Sequence, residues 1–392
     1  MVVKFFSLSS SELFLRGSKF IFFLSLANFY DSDVIYEYGL FTALFSILFV
    51  FSDVGYQTLI LKEMSHKNSY SNYIKYSQLS LWRVLLFSFI SLFFLFYYFF
   101  TANSLFFYIF ILFLADAIFA TIFSFYRALH KSIEETKTKF IIGSIFIISS
   151  TCTLFLSSVH LLFLTLSFSY LAYAIVSAKF LKAKIVKLFF RSFTLQKYLL
   201  MSQNSIYIFI GSLSTIAYLR ADILMLNIFN SADGVTLYSV ASRVLELSLV
   251  APAMISALLM PLLIKDAKQN LTKSILRQFF IGIAVMTLFL IISPYVVEIF
   301  FKQFIDTTEL LNILLLSIPF MLVNGYVFTL FIAKDASRYY ALSAFVMLLS
   351  NVILNYMYIP TDGYIAAAYT TLLTEVFGTV FALLLLKKSV VI

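Results

Sequence analysis

Of 392 residues, 62% are hydrophobic and only 12% charged, with a formal net charge of +9. A soluble domain carries about 25% charged and about 45–50% apolar residues, so the composition excludes a water-soluble globular protein and specifies a polytopic, all-α membrane protein. The single cysteine, Cys152, excludes an internal disulfide framework.

A spanning helix needs about 20 apolar residues. Twelve candidate runs follow one another: 11–30, 39–61, 79–100, 104–126, 140–157, 161–178, 205–229, 235–264, 279–300, 310–333, 339–358 and 364–386. Arg16 and Lys19 interrupt the first, whose upstream stretch lacks a small-residue cleavage site and is read as retained. The fifth and sixth runs are joined only by Ser158 to His160, and the seventh and eighth by a short polar loop, Asn230 to Val235.

The loops alternate in charge. One set holds Lys62, Lys67, Lys75, Arg83, Arg127, Lys131, Lys137, Lys139, the cluster from Lys179 to Lys197, Lys265, Lys268, Lys273, Arg277, Lys334, Arg338, Lys387 and Lys388. The other holds Asp31, Asp33, Glu37, Asp233, Glu298, Asp306, Glu309 and Asp362, with Lys302 as its base. Lys and Arg mark the cytoplasmic side, so both termini are expected there. Most of the +9 then serves orientation and attraction to anionic headgroups of membrane lipids rather than nucleic acid. The longest hydrophilic stretch, Lys179 to Gln203, is basic and amphipathic. It reads as an interfacial linker between a lobe over 1–190 and a lobe over 191–392, with a basic partner-binding segment as the alternative.

The two halves resemble each other. Asn28-Phe-Tyr-Asp-Ser-Asp33 matches Ile228-Phe-Asn-Ser-Ala-Asp233 at an offset of 200, and Leu59-Ile-Leu-Lys-Glu63 matches Leu262-Leu-Ile-Lys-Asp266 at 203. Six helices per half leave both halves in one orientation, which predicts two six-helix lobes related by a pseudo-two-fold axis along the membrane normal.

Nucleotide loops, HExxH and Cys/His metal clusters are absent from the sequence. Asp31-Ser-Asp33 is a DxD, but on a loop of about eight residues, too short to cover a catalytic site, and two acids on a translocated loop explain it. His66, His130 and His160 read as solvated loop residues. The intramembrane charges are more informative, because an ionisable residue in hydrocarbon costs about 2.5–3.5 kcal/mol on insertion scales. Arg220 and Arg243 each lie roughly 12–14 Å below the outer surface at 1.5 Å rise per residue. Lys19 falls within one position of Arg220 under the repeat, and Arg16 lies one turn earlier. These four cations are the candidate binding set for an anionic group held by both halves. Asp53, Asp116, Asp222, Glu246 and Glu375 are cavity or coupling charges, or fixed ion-pair partners. Arg243 and Glu246 can pair at i and i+3, whereas Arg220 and Asp222 point to different faces. Pro252 and Pro261 mark a kink, either a gating bend or static packing.

The runs RADILMLNIF…GVTLYSVASRVLEL…P at 220–252 and GYIAAAYTTLLTE at 363–375 resemble the polysaccharide-biosynthesis branch of the multidrug/oligosaccharidyl-lipid/polysaccharide exporter superfamily, closest in type to the O-antigen or repeat-unit flippases. YGLFTALFSILFVFSDVGYQTLILKE at 38–63 and FYRALHKS at 125–132 fit the same style. The resemblance implies a non-enzyme of the bacterial inner membrane that moves undecaprenyl-pyrophosphate-linked oligosaccharides by alternating access. It implies no cofactor, leaves proton or sodium coupling open, and names polymerase and chain-length proteins of the same pathway as partners. A membrane polymerase or ligase, the rival reading, would need a long outer loop with Arg or His. A multidrug cation exporter would need an acidic cavity. A scaffold membrane protein would have little use for intramembrane Arg.

Overall fold

The computed structural model describes residues 2–53, 104–128, 132–156, 158–178, 195–229, 231–249 and 271–390. Among them are eleven α-helices, one 3₁₀ turn at Lys302–Phe304, and no strand. In chain order the helices are α1 Val2–Phe29, α2 Ser32–Asp53, α3 Ser104–Ala128, α4 Ser132–Cys152, α5 Val159–Ala178, α6 Leu195–Ile228, α7 Ala232–Ser248, α8 Leu271–Phe300, α9 Thr307–Leu315, α10 Ile318–Ala333 and α11 Ser337–Val390. Within the described residues the expected spans coincide with helix, apart from single residues at their ends, except at 153–156 and 316–317, and 54–61, 79–100 and 250–264 lie outside them.

Among the described residues, five helices are long and apolar enough to cross a membrane, or six counting α9 and α10 as one bent span. α1 and α4 fall short of that test because they carry charges, including Glu12, Arg16 and Lys19 on one and Glu134, Glu135, Lys137 and Lys139 on the other. The first outer loop is shorter than the expected eight residues. α1 ends at Phe29 and α2 starts at Ser32. The matching junction in the other half ends at Ile228 and restarts at Ala232. Asp33 and Asp233 thus sit in the first turns of α2 and α7, where a carboxylate complements the helix dipole. That gives the DxD a structural role that the loop reading overlooked.

The chain forms two compact units, Met1–Tyr30 with Leu44–Phe209, and Asp31–Ala43 with Ile210–Ile392. The start of α2, Asp31–Ala43, groups with the second unit.

In the first unit α1 packs along α4, and α3 along α5. In lipid, such contacts are driven by close packing rather than by exclusion of water. Phe22 meets Phe146 and Phe163 edge-on at 5.7 and 5.8 Å, and Phe119 stacks on Tyr170 at 5.0 Å. Gly143 allows the close crossing of α1, since a Cβ there would lie 2.5 Å from the Phe14 ring. Lys139, expected as a solvated cation of a cytoplasmic loop, lies two turns inside α4 and is only 4% exposed. It contacts Glu135 of its own helix and Glu12 of α1, each at 2.8 Å. Glu135 is itself 1% exposed, so the pairing is what makes the burial of both charges tolerable.

In the second unit α10 packs on α8 and α11, and α9 on α7 and α11. The expected single span 310–333 is instead two helices bent by 46°. Pro319 sits in the first turn of α10, where its missing N–H and fixed φ suit a new helix start but cannot continue the preceding one. α11 is a hairpin of the two expected spans 339–358 and 364–386. Gly363 adopts φ 60°, ψ −138°, three residues after Pro360, a left-handed conformation that favours glycine. The Thr370 hydroxyl bonds the Asn355 side chain, and Gly378 abuts Met347. In a straight helix fifteen residues would span about 22 Å, so these pairs, both centred on the 362–363 peptide, fix the arms as antiparallel.

Candidate functional site

α6 and α7 bring Arg220, Arg243 and Glu246 together inside the second unit. Arg220 reaches Glu246 Oε1 at 2.8 Å and Arg243 reaches Oε2 at 2.9 Å, so one carboxylate is shared by two guanidinium groups. Among the described residues, this cluster sets two guanidinium groups against one carboxylate. The arginine side chains are 16% and 20% exposed, while Glu246 is 41% exposed. Arg243 also donates to Thr42 Oγ1 at 3.0 Å and lies 5.6 Å from the centre of the Tyr38 ring. Thr42 and Tyr38 belong to the start of α2, which approaches α7 where Gly39 faces Ser239 without room for a Cβ. Both are residues that sequence reasoning missed. Their signal was a polar residue within an apolar run, four positions from a tyrosine on the same helix face.

The other expected cations lie in the first unit. Lys19 Nζ is 3.3 Å from Asp116 Oδ1, which also accepts from the Tyr170 hydroxyl. The ammonium lies 5.3 Å from the Phe146 ring centre and 5.8 Å from that of Tyr170, within cation–π range. Arg16 pairs with Glu12 at 2.9 Å, one turn away on α1.

The remaining acids divide by environment. Asp222 is 2% exposed and has turned away from Arg220. It accepts from Tyr238 and Thr371 hydroxyls on one oxygen and from Asn351 and Asn355 amides on the other. Neutral donors therefore replace its hydration. Asn351 and Asn355, at i and i+4 on the first arm of α11, and Thr371 on the second arm, were not among the expected site residues. Glu375, 3% exposed, accepts from Tyr218 at 3.0 Å and Asn324 at 2.7 Å and makes no ion pair among the described residues. The side chain of Asp53, and Pro252 and Pro261, lie outside the described residues. Within them, Pro294 lies inside the continuous α8, while Pro319 and Pro360 stand at interrupted helices.

This is a helical, multi-pass membrane protein with compensated charges buried in its apolar helices, and its fold is that of known transporters. It is similar to a Pyrococcus furiosus transporter of the MOP superfamily described as having a binding pocket of reverse polarity (TM-score 0.70, 11% identity, covering 97% of this chain and 95% of that one). It is also similar to the lipid II flippase MurJ in an inward closed conformation (0.69, 16%, 99% and 88%), and to the Vibrio cholerae MATE transporter VcmN (0.68, 14%, 98% and 96%). No curated protein matches the sequence. Residues 1–265 match the family described as polysaccharide biosynthesis protein, and the chain belongs to that family.

Proposed function

We propose that this protein is a flippase that carries polyprenyl-pyrophosphate-linked oligosaccharide repeat units, of the O-antigen or capsule type, across the bacterial inner membrane by alternating access. The observation that carries the reading is the pair Arg220 and Arg243 sharing Glu246 within apolar helices, in a member of a polysaccharide biosynthesis family. The fold likeness to a lipid II flippase supports it.

A pyrophosphate sits between a long lipid tail and a bulky glycan, so it is the part of the substrate that most needs compensation in the membrane. Guanidinium stays charged and binds phosphate oxygens in pairs. Glu246 holds the two forks in place when no anion is bound and competes with the anion for them. That competition supplies the difference in affinity between two states without which a ligand shifts no equilibrium. Lys19 and Arg16 are further candidate cations within the first unit, paired with Asp116 and Glu12 as the arginines are with Glu246. Proton or sodium coupling would run through a buried acid, with Glu375 the strongest candidate: among the described residues no cation pairs with it, and two side chains donate to it where four donate to Asp222. Both termini are cytoplasmic in this reading, and no step makes or breaks a covalent bond.

The test is export of surface glycan by Arg220→Ala and Arg243→Ala variants expressed at wild-type level. Both are expected to insert normally and to abolish export, with Arg→Lys variants partly active. Normal export by both Ala variants refutes the assignment.

A further inference from the structure

An open cleft of about 630 Å³ lies in the second unit where α8, α9 and the second arm of α11 meet, within the about 300–1,000 Å³ typical of ligand pockets. Its polar lining is Asp306, Thr308, Glu309, Asn312, Tyr364 and Tyr369. Asp306 caps α9 without making a side-chain capping hydrogen bond. Neither it nor Glu309 pairs with a cation among the described residues. The dipole of α9 accounts for two acids at its start and an interfacial position for the tyrosines, but neither accounts for the amide that meets them around one opening. Asn312 Oδ1 accepts from Ser293 at 2.9 Å, so its amide hydrogens remain for another acceptor.

The cleft thus presents acceptors in Asp306 and Glu309, donors in Asn312, and hydroxyls that act as either in Thr308 and Tyr364. Tyr369, 51% exposed, adds an open ring face. Two uncompensated carboxylates repel a phosphate or an acidic sugar. An organic ammonium would use the rings and the acceptors but leave the donors without partners. A neutral or amino sugar uses all of them, because its hydroxyls both donate and accept and its C–H face lies flat on an aromatic ring.

We infer that this cleft binds the glycan portion of the substrate on the acidic, outer side of the membrane, holding the sugar after the anion has left the arginines. The inference rests on the flippase reading above.

The test uses the full chain in lipid nanodiscs and saturation-transfer NMR. The probes are the oligosaccharide freed by mild acid from the host cell's own lipid-linked glycans, tetramethylammonium and inorganic phosphate. Wild type is expected to transfer saturation to the oligosaccharide. Asp306→Asn combined with Glu309→Gln, and Tyr364→Leu combined with Tyr369→Leu, should each bind it about tenfold or more weakly, from the loss of charge-assisted bonds or of ring contact. These side chains are exposed or half-buried, so folding should be kept, and Asp306→Lys is a second variant expected to lose the signal.

Gly325→Ala, outside the cleft and with nothing within 4 Å of the added Cβ, should retain oligosaccharide binding. Silence from the wild type, equal transfer by all cleft variants, or a carboxylate-dependent signal from tetramethylammonium alone overturns the inference. Normal export by the arginine variants together with lost oligosaccharide binding by the cleft variants removes the anion site and leaves the cleft standing.

Discussion

Replacing Lys139 by Met tests how the first unit holds its buried charge. The ammonium is 4% exposed and lies 2.8 Å from both Glu135 and Glu12. Met keeps the length and most of the volume, so little packing is lost, and the change isolates the charge. Glu135, 1% exposed, then loses its 2.8 Å contact with this ammonium, whereas Glu12 retains Arg16 at 2.9 Å. Removing one member of a buried pair costs about 3–5 kcal/mol, while replacing both by apolar residues is often neutral. Lys139→Met should therefore lower stability by about 3–5 kcal/mol, and Lys139→Met with Glu135→Leu should recover most of that loss, the two sites being coupled. The readout is the unfolding midpoint of the purified protein in mixed micelles titrated with denaturing detergent. A single variant within about 0.5 kcal/mol of wild type, the range of ordinary surface changes, would refute the reasoning, as would a double variant no better than the single. The same contact sets the register of α1 on α4, and so the seat of Lys19 against Phe146.

Gly282→Ala would place a methyl 2.4 Å from the Cα of Pro319. Backbone cannot swing aside, so the variant should lose about 1–3 kcal/mol by overpacking. Gly325→Ala, with nothing within 4 Å of the added Cβ, is the neutral control; equal midpoints for the two would contradict the close approach of α8 and α10. Glu375→Gln keeps the shape of a side chain held by Tyr218 and Asn324 but cannot take up or release a proton. In inverted vesicles it should abolish the dependence of transport on a pH gradient, and full retention of that dependence would assign Glu375 a static role.

What the chain declares by itself follows from the bilayer as solvent. Uninterrupted apolar runs of about 20 residues have few alternatives to spanning helix, so membrane class and helix positions were legible along the described residues. So was the pairing of Arg243 with Glu246, a contact at i and i+3 within one helix. The separation of Arg220 from Asp222 followed equally from helical geometry, and the structure gives each its own partners.

Contacts between helices were decided only by the tertiary structure. Sequence spacing shows that Glu246 can reach Arg243, but only the tertiary structure shows that it also holds Arg220 of α6. Lys139 read as a loop cation because hydropathy ignores partners. A lysine among apolar residues and a lysine between two carboxylates are the same letter, and burial becomes tolerable only when α1 brings Glu12 alongside. Likewise the bend before Pro319 fell inside an apolar stretch that satisfies a hydropathy window whether straight or broken. The cleft that holds Asp306 and Tyr369 is assembled from α8, the start of α9 and the beginning of the second arm of α11. These segments lie too far apart in the chain for any periodicity to join them, and the fold alone brings their carboxylates, amide and tyrosine rings to one opening.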